Sequence, residues 1–280
     1  MTRAGLASMA AAPCVTIGLG LAATSAAAQD LPLWELGFGL TALHLPHFRG
    51  AAQTYNGVLP LPFVVYRGEV LRADRDGARA LLFESDRLDI DLSLFATPPV
   101  RSSNDDARTG MPDLAATLEV GPNLQFTLDR GPGWALQLRS PVRAALTLQS
   151  HPKWVGWVAT PNLNLDMVHG PWNMGLQAGP VFGTRSFFGY FYDVSDAQAT
   201  PTRPAYQTSG GYGGWQATWS MSRRFDAQWV GLFVRFDSVA GATFVDSPLV
   251  GRRDNVAFGI AWAWSVLQSE RRVPDRDRQP

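Results

Sequence analysis

Asn255-Val-Ala-Phe-Gly-Ile-Ala-Trp-Ala-Trp-Ser-Val-Leu267 alternates almost without fault. Val256, Phe258, Ile260, Trp262, Trp264 and Val266 fall on one face of an extended chain, and Ala257, Gly259, Ala261, Ala263 and Ser265 on the other. A strand of a soluble sandwich would bury its large side and show charge on the other. Here the second face is small and weakly polar, and the large face carries a Trp pair near its end. A strand with lipid outside and a packed barrel lumen inside has this pattern.

Other segments repeat it. Trp34, Leu36, Phe38, Leu40 and Ala42 oppose Glu35, Gly37, Gly39 and Thr41, and Leu88, Ile90, Leu92, Leu94 and Ala96 oppose Asp89, Asp91 and Ser93. Reading outward from 255–267, strands are expected at 34–44, 57–66, 69–74, 78–83, 87–96, 113–128, 134–148, 154–168, 172–183, 211–221 and 227–237. The fold class is therefore all-β, a transmembrane antiparallel barrel of outer-membrane type. It has twelve strands, or ten if the short pieces at 69–83 do not count. Pro60 and Pro62 are awkward for a central ladder, because each removes a backbone donor.

Connections alternate between short turns (84–86, 130–133, 169–171, 222–226) and mostly longer loops (46–55, 97–112, 184–209, 238–254). Short periplasmic turns and longer outer loops are the expected asymmetry, with both chain ends in the periplasm. Two connections, 75–77 and 149–153, are short where a long loop is expected. Trp34, Trp134, Trp172 and Trp229 begin strands and Trp262 and Trp264 lie near the end of the last one. The expectation is one belt at the periplasmic boundary.

The first 28 residues read as a signal peptide: Arg3, an apolar stretch, then Ala26-Ala27-Ala28 as a cleavage site before Gln29. Cys14 follows Pro13 inside the apolar run, so it reads as part of that signal. It is the one cysteine of the chain, and no disulfide or thiol chemistry is expected in the mature protein. Residues 29–267 form the barrel domain, and the charged stretch 268–280 a solvated tail. Basic and acidic residues number 24 each, so nothing suggests nucleic acid as a partner.

If the large faces point outward, the inward set includes Asp89, Asp91, Glu119, Arg139 and Arg143. Pairing strands about their turns puts Glu119 opposite Arg143, Asp89 opposite Glu119 on its other side, and Arg79 near Asp91. These six residues are expected to form a lumen ion-pair network that fills and stiffens the barrel. A charged pore constriction is the functional alternative. No catalytic, metal or cofactor site is expected. His44, His47, His151 and His169 make no metal pattern beyond His44 and His47 across Pro46, and no motif pairs a Ser with a His. Gly210–Gly214 opens a strand rather than a helix, so it is not a phosphate loop; it gives curvature or room inside the barrel.

Several short stretches are similar to one family: Ser85-Asp86-Arg87-Leu88, Pro141-Val142-Arg143, Tyr190-Phe191-Tyr192-Asp193-Val194, Arg203-Pro204-Ala205-Tyr206-Gln207 with the Gly210–Gly214 run, and Asp246-Ser247-Pro248-Leu249-Val250. In this order, over essentially the whole mature chain, they resemble the MltA-interacting protein (MipA/OmpV) family. The resemblance implies the outer membrane of a Gram-negative bacterium and a lipid surround. It also implies a scaffold role, with a lytic murein transglycosylase and a penicillin-binding protein as partners; other members are linked to adhesion. It brings no catalytic residue and no cofactor, so the chain is read as non-enzymatic. A small-solute channel or surface adhesin is the alternative, and an outer-membrane lipid hydrolase the third reading. Many barrels end on an aromatic residue, whereas here a charged tail follows Trp264.

Overall fold

The computed structural model describes residues 31–68, 71–74 and 77–273. The proposed signal peptide and the last part of the proposed tail lie outside them. The barrel strands are, in chain order after a short β1 (Leu31–Pro32), β2 (Trp34–Pro46), β3 (Thr54–Arg67), β4 (Leu71–Asp74), β5 (Gly77–Glu84), β6 (Leu88–Thr97), β7 (Thr117–Gly131), β8 (Trp134–Thr147), β9 (Trp154–Ala159), β10 (Asn162–His169) and β11 (Trp172–Gly183). A helix α1 (Arg185–Tyr192) follows, then β12 (Gly211–Phe225), β13 (Gln228–Ser238) and β14 (Asp254–Gln268), with β15 (Arg272–Val273) last.

Thirteen of these strands, β2 to β14, make one sheet, and every described pairing is antiparallel between ring neighbours. β9 and β10 are one strand interrupted at Thr160-Pro161, since both pair with β8 and both with β11. The wall is thus twelve strands around. β14 pairs with β2 and closes the ring, so every strand of the wall has a neighbour on each side over at least part of its length.

The faces follow the alternation. In β14 the even positions from Val256 to Val266 lie outward, with Ile260 and Trp262 half exposed, while Ala257 and Ala263 are fully buried on the lumen side. Gly37 and Gly39 sit where a Cβ would run into the backbone of Trp264 and Trp262, so small residues let β2 and β14 approach. Leu40, Val58, Leu138, Leu163, Val234 and Phe258 join the exposed apolar belt. An apolar outer face on a closed barrel is the signature of a membrane-spanning one.

Trp262 and Trp264 stack at 5.4 Å in that belt, and Arg223 lies over the rings of Trp172 and Phe225. Trp229 corrects the expected belt. It pairs with the inward Ala263, and its ring reaches Phe63 in the lumen at 6.3 Å, so its place at the strand start does not set its direction.

The first and last described segments are tied together. β15 pairs with β1, Leu33 N donates to Arg271 O, and Ser269 Oγ accepts from Trp34 N. Residues 268–273, expected to begin a solvated tail, are therefore an ordered ribbon at the short-turn end.

A loop lid and a charged lumen as the candidate functional site

The four long connections do not behave as separate loops. Phe48 and Ala51 from the first, Val100, Met111 and Leu114 from the second, Phe188, Tyr192 and Val194 from the third, and Val239, Phe244 and Leu249 from the fourth form one buried apolar cluster. This core lies above the barrel, separate from the lipid-facing belt. Burying these side chains against one another supplies the hydrophobic gain that holds otherwise mobile segments.

Helix α1 is its centre. Thr184 is the N-cap, its hydroxyl accepting from Phe187 N, and Phe187, Phe188, Tyr190, Phe191 and Tyr192 follow. Thr184 also holds the backbone of Trp157 on β9. At the other end Tyr192 Oη donates to Arg49 O at 2.7 Å, and Tyr190 Oη to Ala115 O. β9 and the β2–β3 loop stand on nearly opposite sides of the ring, so the helix crosses the mouth and the loops form a lid. The Gly run that opens β12 serves this contact. Gly213 leaves room for the Phe188 ring, and Gly211 and Gly214 have φ of +129° and +96° beside the β11 bulge.

Several charged groups under the lid are paired. Arg203 donates to the carbonyls of Ala107, Thr109 and Gln198, and Arg108 to those of Phe191 and Pro112. Burial lowers the Arg108 guanidinium from its ordinary value, against the opposing pull of Asp105. Burial also pushes the Tyr192 phenol well above its ordinary value. His47 meets Asp105 at 2.9 Å. Arg49 fastens the first loop to the wall by pairing with Asp237 at 3.0 Å and bonding the Gly213 and Trp215 carbonyls; Arg235 holds the same carboxylate at 2.8 Å.

The residues expected in the lumen network are not all brought together. Arg143 Nε donates to Glu119 Oε2 at 3.0 Å, although Glu119 stands opposite Ala145 in the ladder and meets Arg143 diagonally. Asp89 does not stand opposite Glu119. It pairs with Gln125, and Phe95 takes the place beside Glu119. The expected register assumed that β7 begins at 113, but Leu114 is bridged to Val100 in the lid and the strand starts at Thr117. Asp91 accepts from Gln125 and Asn123. Arg139 lies apart with Asp166, at 2.8 Å. The Arg79 backbone pairs with Ser93, and its side chain lies outside the described residues.

Sequence reading missed a buried cluster at the short-turn end. Glu35, fully buried, accepts from Arg67 at 2.7 Å and from Arg224, which reaches it across the lumen from β12. It also missed a lumen cavity of about 190 Å³ lined by Thr41, Asp166, Asn173, Ser220, Ser222 and Trp229. Among the described residues no group of His, Cys, Asp and Glu is arranged to hold a metal ion.

Among solved structures the chain is similar to an outer-membrane channel from Pseudomonas putida F1, at 9% identity over 86% of this chain and 98% of that one, with TM-score 0.37. The toluene transporter TbuX of Ralstonia pickettii matches at 10% identity over 85% and 70% of the two chains, TM-score 0.29. The outer membrane protein OprG of Pseudomonas aeruginosa matches at 7% identity over 85% and 95%, TM-score 0.25. No curated protein sequence matches the chain significantly. The MltA-interacting protein MipA family matches over residues 38–266. That span runs from β2 to β14 and takes in every loop of the lid, and the chain belongs to the MltA-interacting protein MipA family.

Proposed function

We propose that this barrel is a non-enzymatic scaffold of the outer membrane that holds murein-remodelling enzymes at its periplasmic face. One observation carries the reading: the long-loop end is covered by a folded lid, while the short-turn end presents the β1–β15 ribbon. A barrel stiffened by lid and lumen pairs is a fixed platform, and its short turns and β1–β15 ribbon are then the working surface. The family description names a murein-enzyme partner for its namesake, which supports the choice of partner class.

The test uses the full-length barrel cross-linked in cells, with capture of a lytic transglycosylase as the readout. Altering the Pro132-Gly133, Gly170-Pro171 and Asp226-Ala227 turns should abolish capture and leave the barrel folded. A high-conductance pore in planar bilayers, with no transglycosylase captured, would falsify this reading. The small-solute alternative is favoured by the lumen cavity beside Trp229 and Asp166; it requires a measurable conductance or solute flux.

A further inference from the structure

One part of the wall is thin. β3 has 14 residues and β4, its neighbour, only 4. They share two register pairs, Tyr66 with Ala73 and Arg67 with Arg72. Among the described residues the second edge of β3 has no partner strand from Thr54 to Pro62. On the far side, β6 pairs with β5 as far as Ser93, and Leu94–Thr97 continue without a β5 partner. A notch therefore opens toward the lid end of the wall, between β3 and β6.

An unpaired strand edge in hydrocarbon costs free energy for every orphaned backbone donor. The sequence of β3 reduces that cost at the notch. Arg67 N donates to Leu33 O at 2.7 Å, which fixes the hydrogen-bonded pairs of the β2–β3 ladder. Antiparallel pairs alternate, so Pro60 and Pro62, each an odd number of residues from Arg67, aim their nitrogens at the other edge. There they carry no N–H to leave unsatisfied. The same two prolines make the edge a poor template for an added strand.

Apolar side chains line the lumen just behind the notch, with the Arg143–Glu119 pair packed on the far side of Phe95. Leu59 and Phe95 stand in inward register, opposite Thr41 and Glu119, yet are 38% and 43% exposed. Open space therefore lies beside them. Phe63 continues this surface to Trp229 at 6.3 Å, and Trp229 borders the lumen cavity.

We propose that the notch between β3 and β6 is a lateral portal through which unbranched apolar chains enter the lumen from the bilayer. An apolar chain needs no hydrogen bond from the proline-bearing edge and finds Leu59, Phe95 and Phe63 inside it. The chain is either the acyl tail of a membrane lipid or a free hydrocarbon dissolved in the membrane. The portal is independent of any periplasmic partner.

The mature chain is read as cysteine-free, so single cysteines can carry a fluorophore. Leu59→Cys and Phe95→Cys, each labelled with bimane, would be placed in vesicles of dibrominated phosphatidylcholine. Gln177→Cys, on the closed inner wall, and Phe258→Cys, on the lipid face, serve as references. Both portal sites should lose emission as Phe258 does, although they face the lumen, while Gln177 keeps its emission. 1-Bromooctane added to unbrominated vesicles separates a free hydrocarbon from a lipid tail: quenching of the portal sites by brominated lipid assigns the lipid tail, and quenching by 1-bromooctane alone at Leu59 and Phe95 but not at Gln177 assigns the free hydrocarbon. Quenching by 1-bromooctane alone, equal at Leu59, Phe95 and Gln177, means entry by another route and overturns the portal. Emission at both portal sites that stays as high as at Gln177 in every arm overturns it as well. Two independent sites guard against one variant failing to fold.

Discussion

The ring of Tyr192 lies flat on that of Phe244, centroids 3.7 Å apart and planes 7° apart. The two residues come from different loops, one at the end of α1 and one between β13 and β14, so this pair is where the lid is sewn together. Ser247 Oγ adds a bond to Tyr192 O at 2.8 Å. Tyr192→Ala should leave a cavity costing about 3–5 kcal/mol in the lid core. Tyr192→Phe keeps the stack, loses the bond to Arg49 O, and should cost about 0.5–1.5 kcal/mol. Hydrogen exchange in residues 185–208 and 239–253 separates the two; equal protection in both variants would contradict the stack as the seam.

Asp237 is buried and binds both Arg49 and Arg235. Asp237→Asn removes the charge that the two guanidinium groups share. By analogy with broken buried pairs, it should destabilise the anchoring of the first loop by about 3–5 kcal/mol. The expected readout is new protease cleavage between residues 46 and 54 while the barrel stays folded by its heat-modifiable gel mobility. Unchanged cleavage would show that the lid does not depend on this anchor.

The Glu35 cluster joins β2, the end of β3 and the end of β12. Glu35→Gln leaves Arg67 and Arg224 facing each other over a neutral partner. The unfolding temperature of the refolded barrel should fall, and Arg224→Ala in the same background should recover part of the loss, because one unpaired charge is then gone. A double variant less stable than Glu35→Gln would rule out repulsion as the cause.

Arg143→Ala strands the buried Glu119 and should also lower the unfolding temperature. The paired variant Arg143→Ala with Glu119→Ala should be less damaging than Arg143→Ala alone. If all three proteins melt together, the pair contributes nothing to stiffness.

The Tyr192 phenol is raised above its ordinary value of about 10, so the folded lid holds this proton more tightly than the unfolded chain does. Its stabilising contribution is complete below the unfolded value and is lost as pH rises through the higher folded one. The lid should therefore keep its protease resistance at mildly alkaline pH and lose it only in strong alkali. In a phenolate absorbance titration, Tyr192→Phe should remove one late-titrating group and leave the early ones in place. Loss of an early group instead would place the Tyr192 phenol in water.

The barrel was legible because one physical rule, large outside and small inside, acts at every second residue. Twelve strands, most of the turn positions and the placing of Trp262 and Trp264 on the outer face follow from it, although the turn expected at 222–226 is strand to Phe225 and turns at 226–227. The rule does not say which loop residues pack together. Residues 184–209 read as a long loop, but nothing in their spacing distinguishes an exposed loop from a lid core. The family-like stretches Tyr190–Val194, Arg203–Gln207 and Asp246–Val250 were the one signal, since all three turn out to meet in the lid. Lumen pairs failed wherever they cross the ring. Glu35 and Arg224 are 189 residues apart on strands that are not neighbours, and no hairpin arithmetic links them. The misplacement of Asp89 had a smaller cause, a strand expected to start at 113 that starts at Thr117.

Tying β1 to β15 has a consequence for how the molecule is made. Nearly every strand pairs with the one synthesised just before or after it, so most of the wall can zip up locally. The β2–β14 seam is different, because it joins the first and last strands of the wall and exposes two bare edges until it forms. The ribbon lies next to that seam and makes contact only once the last residues have arrived. It acts as a late clasp, so trimming the chain after Gln268 should leave every lipid-facing strand intact and still slow closure of the ring.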